Sequence, residues 1–415
     1  MENKKQMNKW LILFVICIGG GIIYIFPYIQ YNYYDSMMQT MGLNNIQMGN
    51  LLSLYGMLNL AGYFFGGLVA DKFKYKYLIT FSLLGTGISG FLFAAAPPYP
   101  VLLAISAFWS ITTVFTYWPA MMKAVKLLGS DGEQGRLFGF REAGFALLSL
   151  LFTSTGLFIF NKTGENFSTL LLFYSVIYIL AGIVSFLFLP KEGEVETKNE
   201  HSVFYGLGYV LKQPKIWLAG GVIFLAYSVG ITLGKFAPYL TSVFKMSVSI
   251  AAMVSIINEY AIPNVGAVSG GLIVDKVKSS TKVIIFGFIG MAILLAGFVA
   301  VPGKPSLLYV VLILGFSIKL IQSAMRGIYF VPVSESKIPD KYVGTAIGVV
   351  SVIGFLPDAF LQTIWGGILD ANAPEVGYKI IFGTLIVFCI AGAILALILK
   401  KKLDNSKSAE ATEAK

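Results

Sequence analysis

The sequence predicts an all-α integral membrane protein of twelve spanning helices, arranged as two pseudo-symmetric six-helix bundles. Three observations predict it: an apolar composition, twelve apolar runs of bilayer length, and a repeat that relates the two halves.

Of 415 residues, 56% are hydrophobic and 13% charged, and the mean hydropathy is +0.76, far above the range of soluble domains. The net charge of +10 does not imply a nucleic-acid partner. Lys and Arg sit in short gaps between apolar runs rather than on one soluble face. Cys17 and Cys389 each lie inside an apolar run, so they supply neither a disulfide framework nor metal-ligand spacing. The single histidine, His201, falls in a polar linker; no metal site, cofactor or Ser-His-Asp triad is expected. The first apolar run follows Lys4, Lys5 and Lys9 and continues past Phe26 without a small-residue cleavage site, so it reads as a first span and not a removable signal.

A bilayer core of roughly 30 Å needs about 20 apolar residues per helix. Runs of that length, bounded by charge, Pro or Gly, fall at 10–34, 44–70, 78–96, 101–125, 136–160, 167–189, 216–240, 248–274, 283–301, 306–333, 343–369 and 378–399. With the N-terminus inside, 22 Lys and Arg are cytoplasmic, four (Lys162, Lys245, Lys304, Lys379) are external and five lie within spans. This is the distribution of a protein in the cytoplasmic membrane with both termini cytoplasmic. Residues 1–190 form the N-terminal bundle, 191–213 the cytoplasmic linker, 214–402 the C-terminal bundle and 403–415 a cytoplasmic tail.

The halves align at an offset of 204. GGLVADKFK at Gly66 to Lys74 and GGLIVDKVK at Gly270 to Lys278 share six of nine residues, and Gly62 matches Gly266, giving each helix a Gly-xxx-Gly face for close approach. Tyr24-Ile-Phe-Pro-Tyr28 is similar to Lys235-Phe-Ala-Pro-Tyr239, and Gly135 with Gly139 recurs as Gly344 with Gly348. Both repeats run in the same sense, as in halves related by an axis along the membrane normal.

In these features the chain resembles the major facilitator superfamily over nearly its whole length. The most specific element is the loop after the second span, Gly67-Leu68-Val69-Ala70-Asp71-Lys72-Phe73 with the later Lys76. It departs from the family pattern at Lys74 and Tyr75, where Gly and Arg are usual. The resemblance implies a secondary transporter working by alternating access. It also implies a conformational latch at Gly67, Asp71 and Lys72, echoed at Gly271, Asp275 and Lys276. More finely, TYWPAMMKAVKLLG, GRLFGFREAG and SVIGFLPDAF are similar to segments of little-characterised bacterial members regarded as possible anion carriers.

Seven charged residues lie inside spans, away from the span ends: Arg141, Glu142, Lys235, Glu259, Lys319, Arg326 and Asp358. Facing lipid they would cost roughly 3 kcal/mol each, so they are expected to face protein or water. Lys319, Gln322, Ser323 and Arg326 follow i, i+3, i+4, i+7 spacing and share one helix face. The resemblance places that stripe on the transport path together with Lys235. Cations around a central cavity suit an anionic solute, and the Arg fork suits carboxylate or phosphate. The other reading of the same charges is a set of buried pairs with Glu259 and Asp358.

Tyr24, Tyr28 and Tyr31 at i, i+4, i+7, and Tyr117 with Trp118 beside Pro119, offer apolar walls with polar tips, although packing alone also produces such stripes. Pro27 with Pro238, and Pro119 with Pro332, are expected helix breaks. Arg141, Glu142, Glu259 and Asp358 are the candidates for coupling or buried charge, with proton, sodium and counter-anion coupling all open. Asn161-Lys-Thr163 fits a glycosylation sequon.

The expected partners are therefore a small, anionic solute, a coupling ion and the lipid bilayer, with the protein a monomer. Three alternatives stand beside the anion carrier. A proton-coupled carrier of neutral sugars or nucleosides would use the tyrosines and carboxylates. A sensor keeping the transporter fold would be expected to carry a signalling tail, and sixteen residues follow Leu399. A membrane enzyme would need a nucleotide loop, metal cluster or catalytic domain, for which the sequence has no motif.

Overall fold

The computed structural model describes residues 9–130, 133–190, 206–336 and 338–413. Lys4, Lys5, His201 and most of the expected linker lie outside the described residues.

Among these residues the regular structure is all helical, as the composition requires: in lipid every backbone N–H and C=O must be satisfied within its own segment. Ten helices are each long and apolar enough to span. They are α3 (Tyr75–Ala94), α4 (Tyr99–Lys126), α5 (Gln134–Lys162), α6 (Phe167–Phe188), α7 (Pro214–Phe244), α8 (Val248–Val277), α9 (Ser280–Ala300), α10 (Pro305–Glu335), α11 (Tyr342–Ala371) and α12 (Pro374–Asn405). An eleventh, α2 (Asn45–Lys72), qualifies as two joined pieces, Asn45–Tyr63 and Phe65–Lys72. The first, α1 (Lys9–Ile23), is shorter. With the bent α2 counted as one span and α1 as a shorter apolar helix, the structure is roughly consistent with the expected twelve.

The first difference from expectation is where α1 stops. The span is expected to run to residue 34, but the α-helix ends at Ile23 and the chain goes on through turns, a 3-10 turn at Ile29–Tyr31 and a separate helix at Tyr34–Met41. Pro27 has no N–H to return to Ile23 and cannot continue the ladder. Tyr178 of α6 takes over the loose ends: its hydroxyl donates to the Ile22 carbonyl at 2.5 Å and accepts from the Phe26 N–H at 3.2 Å. Phe26 is then clamped between Tyr178 (centroids 4.9 Å, planes 8° apart) and Trp109 (5.4 Å, 7°).

The chain divides into two compact units, Met1–Lys198 with Val248–Ile256, and Asn199–Ser247 with Ile257–Lys415. In the first unit α1 packs on α5 and α6, α3 on α6, and α2 on α4. In the second, α7 packs on α11 and α12, α9 on α12, and α8 on α10. Every pairing recurs six helices later, which is the structural counterpart of the sequence repeat.

The matched glycines set the closest of these contacts. A Cβ on Gly62 would come 2.8 Å from the Phe115 ring, and one on Gly66 would come 3.2 Å from the Val114 and Phe115 carbonyls. On the equivalent face, Cβ atoms on Gly266 and Gly270 would stand 2.8 Å from the Leu320 carbonyl and 2.2 Å from the Ala324 carbonyl. Only a missing side chain permits such approach.

Two spans contain a widened, π-helical stretch: Ile111–Tyr117 in α4 and Ile257–Ala261 in α8. Each is followed closely by a proline, Pro119 or Pro263, whose missing N–H and ring disturb the preceding turn. In α4 the Trp118 N–H reaches back to Thr113. The threonines of this stretch hydrogen-bond α2 and α3, Tyr55 to Thr113 at 2.8 Å, Thr86 to Thr112 at 2.7 Å and Ser82 to Thr116 at 2.7 Å, a polar seam that joins helices where lipid gives no hydrophobic drive.

Candidate functional site

In the second unit the α10 stripe forms as one helix face within Leu308–Ile328. Lys319, Gln322 and Ser323 are buried and Arg326, one turn on, is exposed. Lys319 Nζ lies 2.8 Å from Glu259 Oε2, with side chains 6% and 17% exposed. The π-helical stretch of α8 presents Glu259 here, and Asn258 Nδ2 donates to its other oxygen at 3.0 Å. Asn258 Oδ1 is buried without a hydrogen-bond partner among the described residues. Gln322 and Ser323 sit against glycines: a Cβ on Gly230 of α7 would be 2.3 Å from Gln322 Nε2, and one on Gly266 of α8 would be 2.6 Å from Ser323 Cβ. Both therefore also serve the packing of α10.

Lys235 lies in a 3-10 turn within α7, 1% exposed, with the carboxylate of Asp370 acting on it electrostatically. The turn is held from α11, where Gln362 Nε2 donates to the Ile231 carbonyl at 3.0 Å and Trp365 Nε1 to Thr232 Oγ1 at 2.8 Å. Asp358 accepts from the Tyr227 hydroxyl at 2.7 Å and feels the charge of Arg326, which hydrogen-bonds with Tyr329. Asp370, Asn258, Tyr227 and Gln362 were not among the sequence candidates. Asp370 has the one readable signal, a charge at the end of an apolar run, which looks like an ordinary span boundary.

In the first unit Arg141 of α5 is 2% exposed. Its guanidinium lies 5.1 Å from the ring centroid of Trp118 and 4.7 Å from that of Phe145. Its Nε donates to Met121 Sδ at 3.2 Å, and it pairs with Glu142, whose side chain is largely exposed. Two aromatic rings within cation–π reach are a favourable setting for a cation in low dielectric.

Tyr117 is fully buried, with its hydroxyl donated to the Ile16 carbonyl at 3.1 Å, so this ring wedges α1 against α4. Tyr24, Tyr28 and Tyr31 do not form the expected helical stripe, because α1 ends before them. Tyr28 instead stacks on Tyr31 (5.4 Å) and meets Tyr55 edge-on (5.6 Å), leaving Tyr24, Tyr28 and Tyr31 half-buried. In the repeated loops Asp71, Lys72, Asp275 and Lys276 are exposed at the ends of α2 and α8. Lys123 Nζ donates to the Ala70 carbonyl beside Asp71 at 2.8 Å. A Cβ on Gly67 or Gly271 would meet nothing within 4 Å. The two loops leave their helices differently: Phe73 is extended, whereas Lys278 adopts φ +56°.

Two units with repeated helix pairings, and buried charge on the spans of each, define a polytopic membrane transporter. The chain belongs to the Major Facilitator Superfamily, whose profile matches residues 10–361. It is 32% identical over 409 residues to the inner membrane protein YihN of Escherichia coli K12, covering 96% of this chain and 97% of the relative. It is also 32% identical over 389 residues to the inner membrane protein YqcE of the same organism, covering 90% of each. Among solved structures, the nucleoside transporter NupG superposes with a TM-score of 0.77 at 12% identity, over 94% of this chain and 100% of that one. A bacterial homologue of the human lysosomal transporter Spinster, inward-facing and unoccupied, gives 0.75 at 14%, over 98% and 99%. At these identities the structural likeness speaks for the fold alone.

Proposed function

We propose that this transporter carries a small organic or phosphorylated anion across the cytoplasmic membrane by alternating access, both termini being cytoplasmic. The observation that carries the reading is the buried Lys319–Glu259 pair, 2.8 Å apart. Holding two charges in a low-dielectric span costs several kcal/mol per ion before their attraction is counted. Apolar residues would hold α8 to α10 at least as well. Function gives the pair a reason to persist. A solute carboxylate or phosphate offers Lys319 the same oxygen that Glu259 offers, so the solute competes for the ammonium, and Glu259, once displaced, is free to take a proton. One anion and one proton then enter the site with no net charge. Lys235 with Asp370, and Arg326 with Asp358, extend this field within the same unit.

A second reading is favoured by the same pair. Because Lys319 is already compensated, a neutral sugar or nucleoside would find a polar site without net charge. Stability of the purified protein separates the two: ligands that bind the native state raise its melting temperature. Organic anions or sugar phosphates should raise it, with the rise lost in Lys319→Gln. A response to neutral sugars or nucleosides only would overturn the anion reading.

A further inference from the structure

A cleft of about 380 Å³ runs between α1 and α5, wholly within the first unit. Leu13, Cys17 and Leu148 line it from the inner side, and Gly144 lets the helices close there, since a Cβ would come 2.5 Å from Cys17 Sγ. Trp10, Arg136 and Phe140 line its more exposed end. The Arg136 guanidinium lies over Trp10 at 5.1 Å and over Phe140 at 5.6 Å. Trp10 and Phe140 meet edge-on, 84° apart, so the planar guanidinium can lie parallel to one ring at most, and its remaining N–H groups are able to hydrogen-bond. Nearby, Lys9 pairs with Glu133 at 2.5 Å, and that hydrogen bond holds the Glu133 carboxyl below its ordinary range. Lys9 is thereby committed, and Arg136 is the cation that crowns the cleft.

An apolar slot with a tryptophan and an arginine held in cation–π contact at one end matches a lipid in two respects at once. Trp marks the headgroup level of a spanning helix, and basic groups beside interhelical pockets on the cytoplasmic side suit anionic headgroups. We propose that the α1–α5 cleft binds an anionic phospholipid of the cytoplasmic leaflet, with an acyl chain in the slot and the phosphate on the N–H edge of Arg136. No residue of the proposed solute site takes part.

The test uses the full-length protein in detergent micelles, titrated with phosphatidylglycerol or with phosphatidylcholine of identical chains, reading affinity by native mass spectrometry and stability by thermal melting. Wild type should prefer phosphatidylglycerol roughly fivefold, the scale of one basic group at an anionic surface. Arg136→Gln should abolish the preference while leaving phosphatidylcholine binding unchanged. Leu147→Trp, which narrows the slot from an exposed position, should weaken both lipids. Both variants change exposed side chains, and their lipid-free melting temperatures report whether they fold. Three results would each overturn the proposal: equal affinity for the two lipids in wild type, a preference that survives Arg136→Gln, or glycerol phosphate alone reproducing the stabilisation.

Discussion

Lys319 Nζ on α10 and Glu259 Oε2 on α8 stand 2.8 Å apart across sixty residues of sequence, both largely shielded from solvent. Glu259 reaches that position from a π-helical turn that ends just before Pro263. The pair thus joins a backbone irregularity to a buried charge.

Neutralising either partner alone leaves an uncompensated charge. Lys319→Gln and Glu259→Gln should each destabilise the protein by about 3 to 5 kcal/mol, while the double variant should recover most of that loss. Melting of the three purified proteins checks this. Equal melting of both single variants and wild type would mean that the pair does not form.

The glycine faces give a sharper contrast. Gly270→Ala puts a methyl 2.2 Å from the Ala324 carbonyl, and backbone cannot move aside as a side chain can. It should cost at least the 1 to 3 kcal/mol typical of overpacking. Gly271→Ala, one residue on, meets nothing within 4 Å and should melt like wild type. Similar melting of the two variants would contradict the α8–α10 contact.

Much of this arrangement was legible in the chain. Span number follows from hydropathy because bilayer thickness fixes helix length, and the Gly62/Gly266 match already pointed to two close helix faces. The end of α1 was legible only in part: Pro27 marked a break, but not that the helix stops at Ile23. Residues 24–34 are rich in tyrosine and read as a continuation of the span, while the groups that serve the break come from Tyr178, whose hydroxyl arrives from a helix some 150 positions away. The π-helical stretches escaped for a related reason: a proline signals a disturbed turn but not which way the ladder gives. Asp370 was hidden by its place at a span end, where it is exposed and looks like an ordinary boundary carboxylate.

Tyr178→Phe isolates the α1 break. It keeps the ring stacked on Phe26 and removes the one hydroxyl that serves both the Ile22 carbonyl and the Phe26 N–H. A buried polar group left unsatisfied costs about 1 to 3 kcal/mol, so the variant should lose roughly that much stability. Unchanged stability would show that other groups satisfy the break.

The last prediction tests orientation, which rests on the Lys and Arg count. Cys17 and Cys389 are buried, so a background in which both are replaced by alanine allows single cysteines to report accessibility. Lys162 and Lys379 lie at the end of α5 and near the start of α12, and Lys245 lies between α7 and α8. Lys76, at the start of α3, and Lys278, just after α8, lie at the other ends of the spans. An even number of helix crossings separates positions within each group, and an odd number separates the groups, so the two sets must label from opposite sides. Because cytoplasmic loops carry the excess of Lys and Arg, Lys162→Cys, Lys245→Cys and Lys379→Cys should react with an impermeant thiol reagent applied outside intact cells. Lys76→Cys and Lys278→Cys should react only after the membrane is opened. The reverse pattern would invert the topology, and a mixed pattern within either group would break the twelve-span assignment itself.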